Sequence, residues 1–306
     1  MDGPSHGPAG RSFSIGNENA ERAIHDTLET TVFLRMHPTL LKFGNFVLPT
    51  YGVMAATGLI VGLTVVVYLC KRDGMDEERC WNIGVMAILG GVVGAKLLLV
   101  GNEFAYYRAH PADIFSLAML QAGGVFYGGL LGAFATPGIY IWRHRMPFLR
   151  LLDHFAVGTA IGHAIGRLGC FAAGCCYGKP TEVAWSVLFT DPLANKIAGT
   201  PLNVHLHPTQ LYEFVAELFI FPFLLWMWKR RSFEGQIMGT YMFLYGVARF
   251  FFEYFRGDPE RGSVFGGMMT GTQLIALGMV VVGGALWMWR KPFTPLATSS
   301  ETAESV

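Results

Sequence analysis

The run Tyr51-Gly52-Val53-Met54-Ala55-Ala56-Thr57-Gly58-Leu59-Ile60-Val61-Gly62-Leu63-Thr64-Val65-Val66-Val67-Tyr68-Leu69-Cys70 contains no Asp, Glu, Lys or Arg and is closed by Lys71-Arg72-Asp73-Gly74. A helix of this length crosses a bilayer core about 30 Å thick, which takes about 20 apolar residues. Six further runs are mostly apolar and of similar length: residues 83–101, 124–142, 152–170, 210–228, 236–254 and 272–289. Each ends in charge or turn residues, such as Arg143-His144-Arg145, Lys229-Arg230-Arg231 and Arg290-Lys291-Pro292. A core helix of a globular domain is rarely apolar on every side, so seven such runs predict an all-α polytopic membrane protein with seven spans.

Composition agrees. Of 306 residues, 52% are hydrophobic and 15% charged, against roughly 45–50% and about 25% for a soluble domain. The mean hydropathy is +0.38. This excludes disorder, and five cysteines are too sparse for a disulfide scaffold. A net charge of +1 without a basic stripe excludes a nucleic-acid partner. No cofactor is expected: Gly90-Gly91-Val92-Val93-Gly94 lies inside a span, not after a strand, so it is no nucleotide-binding loop.

Orientation follows the basic residues of short loops. Loops after odd-numbered spans carry Lys71, Arg72 and Arg79, then Arg143, Arg145 and Arg150, then Lys229, Arg230 and Arg231, then Arg290 and Lys291. The other loops carry only Arg108, Lys179, Lys196, Arg256 and Arg261. The N-terminus is therefore expected outside and the C-terminus in the cytoplasm. Residues 1–30 are polar, without the apolar core of a signal peptide, and are expected to be a disordered tail, leaving insertion to the first span. Residues 31–49 mix Phe33, Leu34, Leu40, Leu41, Phe43, Phe46 and Val47 with Arg35, His37 and Lys42, which suits an arm lying in the outer interface. Residues 50–291 form the membrane domain and 292–306 a cytoplasmic tail. Glycines recur every fourth residue at Gly58/Gly62, Gly90/Gly94, Gly124/Gly128/Gly132 and Gly158/Gly162/Gly166, the spacing that lets membrane helices approach closely.

Function is sought where polar groups are expensive, since an ionisable side chain inside a span costs at least about 2.5 kcal/mol. His163, Arg167 and Cys170 share one face of the fourth span. Tyr245, Arg249, Glu253 and Arg256 make one stripe through the Phe-rich sixth span. His207-Pro208-Thr209-Gln210-Leu211-Tyr212-Glu213 opens the fifth span, where helix capping is the simpler reading and Glu213 and Glu217 lie one turn apart. Four glycines around Tyr127, in Gly123-Gly124-Val125-Phe126-Tyr127-Gly128-Gly129, suit backbone held close to a ligand. Two guanidiniums near the outer leaflet make an anion site, and a phospholipid headgroup is the common anion there. Cys170, Cys175 and Cys176 match no zinc-ribbon spacing, so no metal is expected. They read as structural thiols, as a disulfide from Cys170 to one of the other two, or as a nucleophile.

Jointly these motifs, with Pro49-Thr50-Tyr51-Gly52 and Gly166-Arg167-Leu168-Gly169-Cys170-Phe171, resemble the bacterial prolipoprotein diacylglyceryl transferase family over residues 34–289. The resemblance implies an inner-membrane enzyme working at the outer leaflet in the first step of bacterial lipoprotein maturation. It moves a diacylglyceryl group from phosphatidylglycerol to the lipobox cysteine of a prolipoprotein signal peptide, and glycerol phosphate leaves. Arg167 and Arg249 would hold the phosphate, and Glu253 would orient Arg249 or help move the thiol proton. Tyr51, Tyr127, Tyr245, Arg256, Gly124, Gly166 and Gly169 would line the lipid site. The family signature usually carries Asn where this chain has Cys170 and Ala173, an acid at Cys175, and His at Tyr127. This leaves His163 as the expected general base and gives Glu213, Cys170, Cys175 and Cys176 no fixed role. The same departures suit a diverged lipid-modifying enzyme that uses the cysteines on another acceptor. A non-catalytic phospholipid-binding protein is the third alternative.

Overall fold

The computed structural model describes residues 38–43, 46–116, 119, 124–258, 262–290 and 292. The N-terminal tail, residues 31–37 and 44–45 of the arm, Gly123 of the glycine motif and nearly all of the C-terminal tail lie outside them.

The described arm is a β-hairpin, β1 (Thr39–Phe43) paired antiparallel with β2 (Phe46–Pro49). Leu40, Leu41, Phe43 and Val47 are exposed on it, the apolar surface an interfacial element needs. The helices follow: α1 (Thr50–Arg72), α2 (Glu77–Asn102), a short α3 (Phe104–Ala109), α4 (Phe126–Arg143), α5 (Phe148–Ala173), a short α6 (Pro192–Ala198), α7 (Thr209–Trp228), α8 (Gln236–Phe252) and α9 (Gly271–Trp289). Short hairpins β3 (Val187–Leu188) with β4 (His205–Leu206) and β5 (Ser263–Val264) with β6 (Met269–Thr270) decorate the loops. Each apolar run of the sequence thus contains a long helix. Five of them, α1, α2, α5, α7 and α9, are long and apolar enough to cross a membrane.

Helix α5 is the centre. It packs on α1, α7 and α8, α9 packs on α8, and the α2–α4 pair joins through α1. The glycine spacing sets two of these seams. A Cβ on Gly58 or Gly62 would lie 2.5 Å from the Gly162 carbonyl or 2.7 Å from that of Gly158, which joins α1 to α5. A Cβ on Gly94 would lie 2.3 Å from the Gly128 carbonyl, which joins α2 to α4. No side chain fits at such distances, so the backbones themselves meet.

At the end of the bundle where α1 runs into the Asp73 turn, two acids tie the chain together. The Asp73 carboxylate takes Arg150 Nε at 2.6 Å and Arg231 Nη2 at 2.5 Å, with His154 Nε2 at 3.2 Å. Burial alone would raise the Asp73 carboxyl, but His154, Arg150 and Arg231 outweigh it and hold it well below the usual carboxylate range. Asp153 accepts the backbone N–H groups of Gly235, Ile237 and Met238 at 2.9, 2.9 and 3.0 Å, so it caps α8 from a neighbouring helix. The sequence reading passed over Asp153 and His154 because they sit at the edge of a run.

Candidate functional site

The fully buried carboxylate of Glu213, in the first turns of α7, gathers three arginines from three segments. Arg167 Nη2 from α5 lies 2.7 Å from Glu213 Oε2. Arg249 Nη1 from α8 lies 3.8 Å, and Arg256 Nη1 3.7 Å, from Glu213 Oε1. Tyr245 donates its hydroxyl to Oε2 at 3.3 Å. Arg167 and Arg249, expected on separate helices facing one place, therefore do converge.

Each guanidinium has a second anchor. Arg167 Nε donates to His163 Nε2 at 3.0 Å. That bond leaves His163 Nδ1 to carry the ring proton and donate it to Glu217 Oε1, 2.7 Å away. Tyr241 donates to the same oxygen at 3.1 Å, and Tyr245 meets His163 edge-on at 5.1 Å. Arg249 Nη2 lies 2.9 Å from Glu253 Oε2, and Glu253 Oε1 accepts from Thr270 at 2.9 Å. Glu253 is thus placed to orient Arg249. Arg256 Nη2 pairs with Asp258. Three buried atoms at the centre, Glu213 Oε1, Arg249 Nη1 and Arg256 Nε, have no hydrogen-bond partner among the described residues.

The stripe Tyr245, Arg249, Glu253, Arg256 does not run along one helix. Helix α8 ends at Phe252, Glu253–Phe255 tighten into a 3-10 turn, and Arg256 is extended. What brings Arg256 back is a weave of backbone. Lys179 N–H donates to the Phe255 carbonyl at 2.8 Å, Gly257 N–H to the Tyr177 carbonyl at 3.1 Å and Gly178 N–H to the His207 carbonyl at 3.0 Å. A Cβ on Gly178 would lie 2.5 Å from the His207 carbonyl oxygen, so glycine is what allows this crossing.

The same weave fixes the cysteines. Helix α5 ends on Gly174 at φ 77°, and Cys176 follows at φ 64°. Thr209 and Gln210 do not cap α7 as expected. They donate to the carbonyls of Cys176 and Cys175, each at 2.7 Å. All five cysteines are free, so the pairing of Cys170 with Cys175 or Cys176 is not formed. Instead the Sγ atoms of Cys170, Cys175 and Cys176 lie within 4.8 Å of one another. Thiol contacts from Cys170 and Cys175, with the charges of Arg256 and Arg167, pull the Cys176 thiol below its ordinary value against the effect of burial.

The remaining expected residues divide. Tyr51, half exposed on α1, stands beside the three thiols and Arg167. Gly166 faces open space. A Cβ on Gly169 would lie 2.8 Å from Met54 Cβ and 3.5 Å from the Tyr51 carbonyl, so this glycine seats α1 on α5 and places Tyr51. Gly124 packs against Ala95 of α2. Tyr127 is 71% exposed on α4. Glu217 and Tyr241 belong to the site and were given no role from sequence. Their one signal was helical phase, with Glu217 one turn beyond Glu213 and Tyr241 one turn before Tyr245.

A mostly helical bundle with helices apolar enough to cross a membrane, and with guanidiniums, carboxylates and an imidazole gathered where α5, α7 and α8 meet, defines a membrane protein with a buried charged centre. Comparison with known proteins narrows the class. The family model for prolipoprotein diacylglyceryl transferase matches residues 38–289. Proteins named phosphatidylglycerol–prolipoprotein diacylglyceryl transferase are similar: that of Clostridium tetani is 33% identical over 81% of this chain and 95% of its own length. That of Finegoldia magna is 33% identical over 76% and 87%, and that of Rhodospirillum centenum 32% identical over 89% and 97%. The chain belongs to the prolipoprotein diacylglyceryl transferase family.

Proposed function

We propose that this protein transfers the diacylglyceryl group of phosphatidylglycerol to the lipobox cysteine thiol of a prolipoprotein. It would act as a seven-span enzyme of the bacterial cytoplasmic (inner) membrane, N-terminus outside and C-terminus in the cytoplasm, with its site at the outer leaflet. The observation that carries the reading is the meeting of Arg167, Arg249 and Arg256 on Glu213, two of them at 3.7–3.8 Å and not in hydrogen-bond contact. A lipid phosphate offers the acceptor oxygens that Arg249 Nη1 and Arg256 Nε lack. Glu213 holds the guanidiniums together until the phosphate takes them.

The chemistry follows from that geometry. The thiol sulfur attacks the glycerol carbon, the carbon–oxygen bond to phosphate breaks, and its electron pair leaves with glycerol phosphate. Negative charge grows on the phosphate as the bond breaks, and fixed guanidiniums in a water-poor site stabilise it. His163 is the base. Its Nε2 is covered by Arg167 until the lipid draws that guanidinium away, and Glu217 then steadies the imidazolium. Proton removal is thereby tied to lipid arrival. Family membership favours this reading over a different acceptor or a non-catalytic lipid binder.

The test is direct. Purified protein is incubated with phosphatidylglycerol and a lipobox peptide, and the peptide mass is read. The expected product is the diacylglyceryl thioether with release of glycerol phosphate. An unmodified peptide beside bound lipid would overturn the proposal.

A further inference from the structure

Three sulfurs meet where α5 ends. Cys170 comes from the last turn of α5, and Cys175 and Cys176 from the loop beyond it. Their mutual Sγ separations stay within 4.8 Å and no disulfide joins them. A zinc ion with bonds to sulfur of about 2.3 Å and tetrahedral angles spaces its sulfurs about 3.8 Å apart, inside that limit.

The surroundings suit a metal more than loose thiols. The loop is held rigidly: Thr209 and Gln210 clamp the two cysteine carbonyls, and Cys176 stands at φ 64°. A side chain in that left-handed region costs about 1–2 kcal/mol, so Cys176 is carried at a strained position that glycine would fill without strain. Three thiolates around a divalent cation carry a net negative charge. Arg256 and Arg167, both close enough to Cys176 to act on its charge, offset it. Cys175 and Cys176 are only half-buried, which leaves a side of the triangle for a fourth ligand.

We propose that Cys170, Cys175 and Cys176 form a three-sulfur site for a thiophilic d10 cation, Zn(II) foremost, whose fourth position takes the acceptor peptide's cysteine. The site would deepen the transferase function, and its catalytic part rests on that reading. Spacing alone predicted no metal because it sought two cysteine pairs; here the third ligand comes from a helix end. Ligation deprotonates a thiol outright, and the proton passes to His163. The metal-held thiolate attacks the glycerol carbon beside Arg167, and the oxygen leaves with the phosphate and the electron pair. The product thioether is neutral and a weaker ligand, so it departs and frees the position.

The full chain in detergent, reduced and stripped of metal, is titrated with Co(II) as the spectroscopic probe. One Co(II) per chain is expected, with sulfur-to-cobalt charge transfer and the visible bands of tetrahedral cobalt. A lipobox peptide should shift the visible bands and its Cys→Ser version should not. Cys176→Ser and Cys175→Ser should each weaken binding at least about tenfold, since each removes one of three bonds; unchanged melting temperatures would show that they fold. Absence of Co(II) and Zn(II) binding by the reduced wild type, or equal binding by the triple Cys→Ser variant, would overturn the site. Full-rate thioether formation by the stripped protein would overturn its catalytic part while leaving the transferase reading intact. Metal and peptide binding without any thioether would support the site and contradict the transferase reading.

Discussion

Two carboxylates, Asp73 and Glu213, each gather basic side chains from distant segments, and they do it differently. Asp73 is in close contact, with Arg150 at 2.6 Å, Arg231 at 2.5 Å and His154 at 3.2 Å. Glu213 is more deeply buried yet holds only Arg167 closely, at 2.7 Å, with Arg249 at 3.8 Å and Arg256 at 3.7 Å. Tight pairing binds loops; loose pairing in a buried place keeps donors ready for another acceptor. Buried ion pairs give little net stability but are costly to break on one side. The same residue types can therefore be a clasp at one place and a binding site at another, with the distances deciding which.

Substitutions should separate the two. Asp73→Asn removes the carboxylate charge that Arg150 and Arg231 share and should cost up to about 3–5 kcal/mol of stability, read as a lower melting temperature, with turnover per folded molecule unchanged. Arg167→Ala should do the reverse. Transfer should fall about 10²–10³-fold, the cost of removing one donor to a developing anion, while the fold survives with a smaller loss, because Arg249 and Arg256 still face Glu213. Loss of transfer in the Asp73 variant, or loss of fold in the Arg167 variant, would break the distinction.

Two smaller effects sharpen it. Tyr245→Phe removes the 3.3 Å hydrogen bond to Glu213, worth about 1 kcal/mol, so transfer should fall at most roughly fivefold, with only a small drop in melting temperature. Acid should act on the clasp. Because the folded Asp73 carboxyl sits below its ordinary value, its contribution is full above the unfolded value of about 3.9. It is lost as pH falls through the lower folded value. Melting temperature followed from pH 7 to pH 3 should show an acid drop that is shallower in Asp73→Asn.

Much of this was legible in the sequence because a membrane makes some residues expensive. Arg167 and Arg249 stood out inside apolar runs, and their convergence followed. The α1–α5 and α2–α4 seams followed from glycines spaced by four. What was not legible depends on where backbones cross. Glu213 read as one acid at a helix start, and only the packing of α5, α7 and α8 makes it the centre. Arg256 was assigned to the right group by the wrong geometry, since it arrives on an extended segment pinned to residues 177–179. Thr209 and Gln210 carried a capping pattern but clamp the cysteine loop instead. Gly124 and Gly128 of the glycine-rich motif pack against α2, which spacing by four does signal.

The central claim is that Arg167 and Arg249 grip one lipid phosphate together. Phosphatidylglycerol binding by native mass spectrometry of the detergent-purified protein measures it, in the wild type, Arg167→Ala, Arg249→Ala and the double variant. Each single change should weaken binding strongly, and the double should lose less than the sum of the two, as expected of groups that share a partner. Unimpaired binding in either single variant, or strictly additive losses, would contradict a shared phosphate.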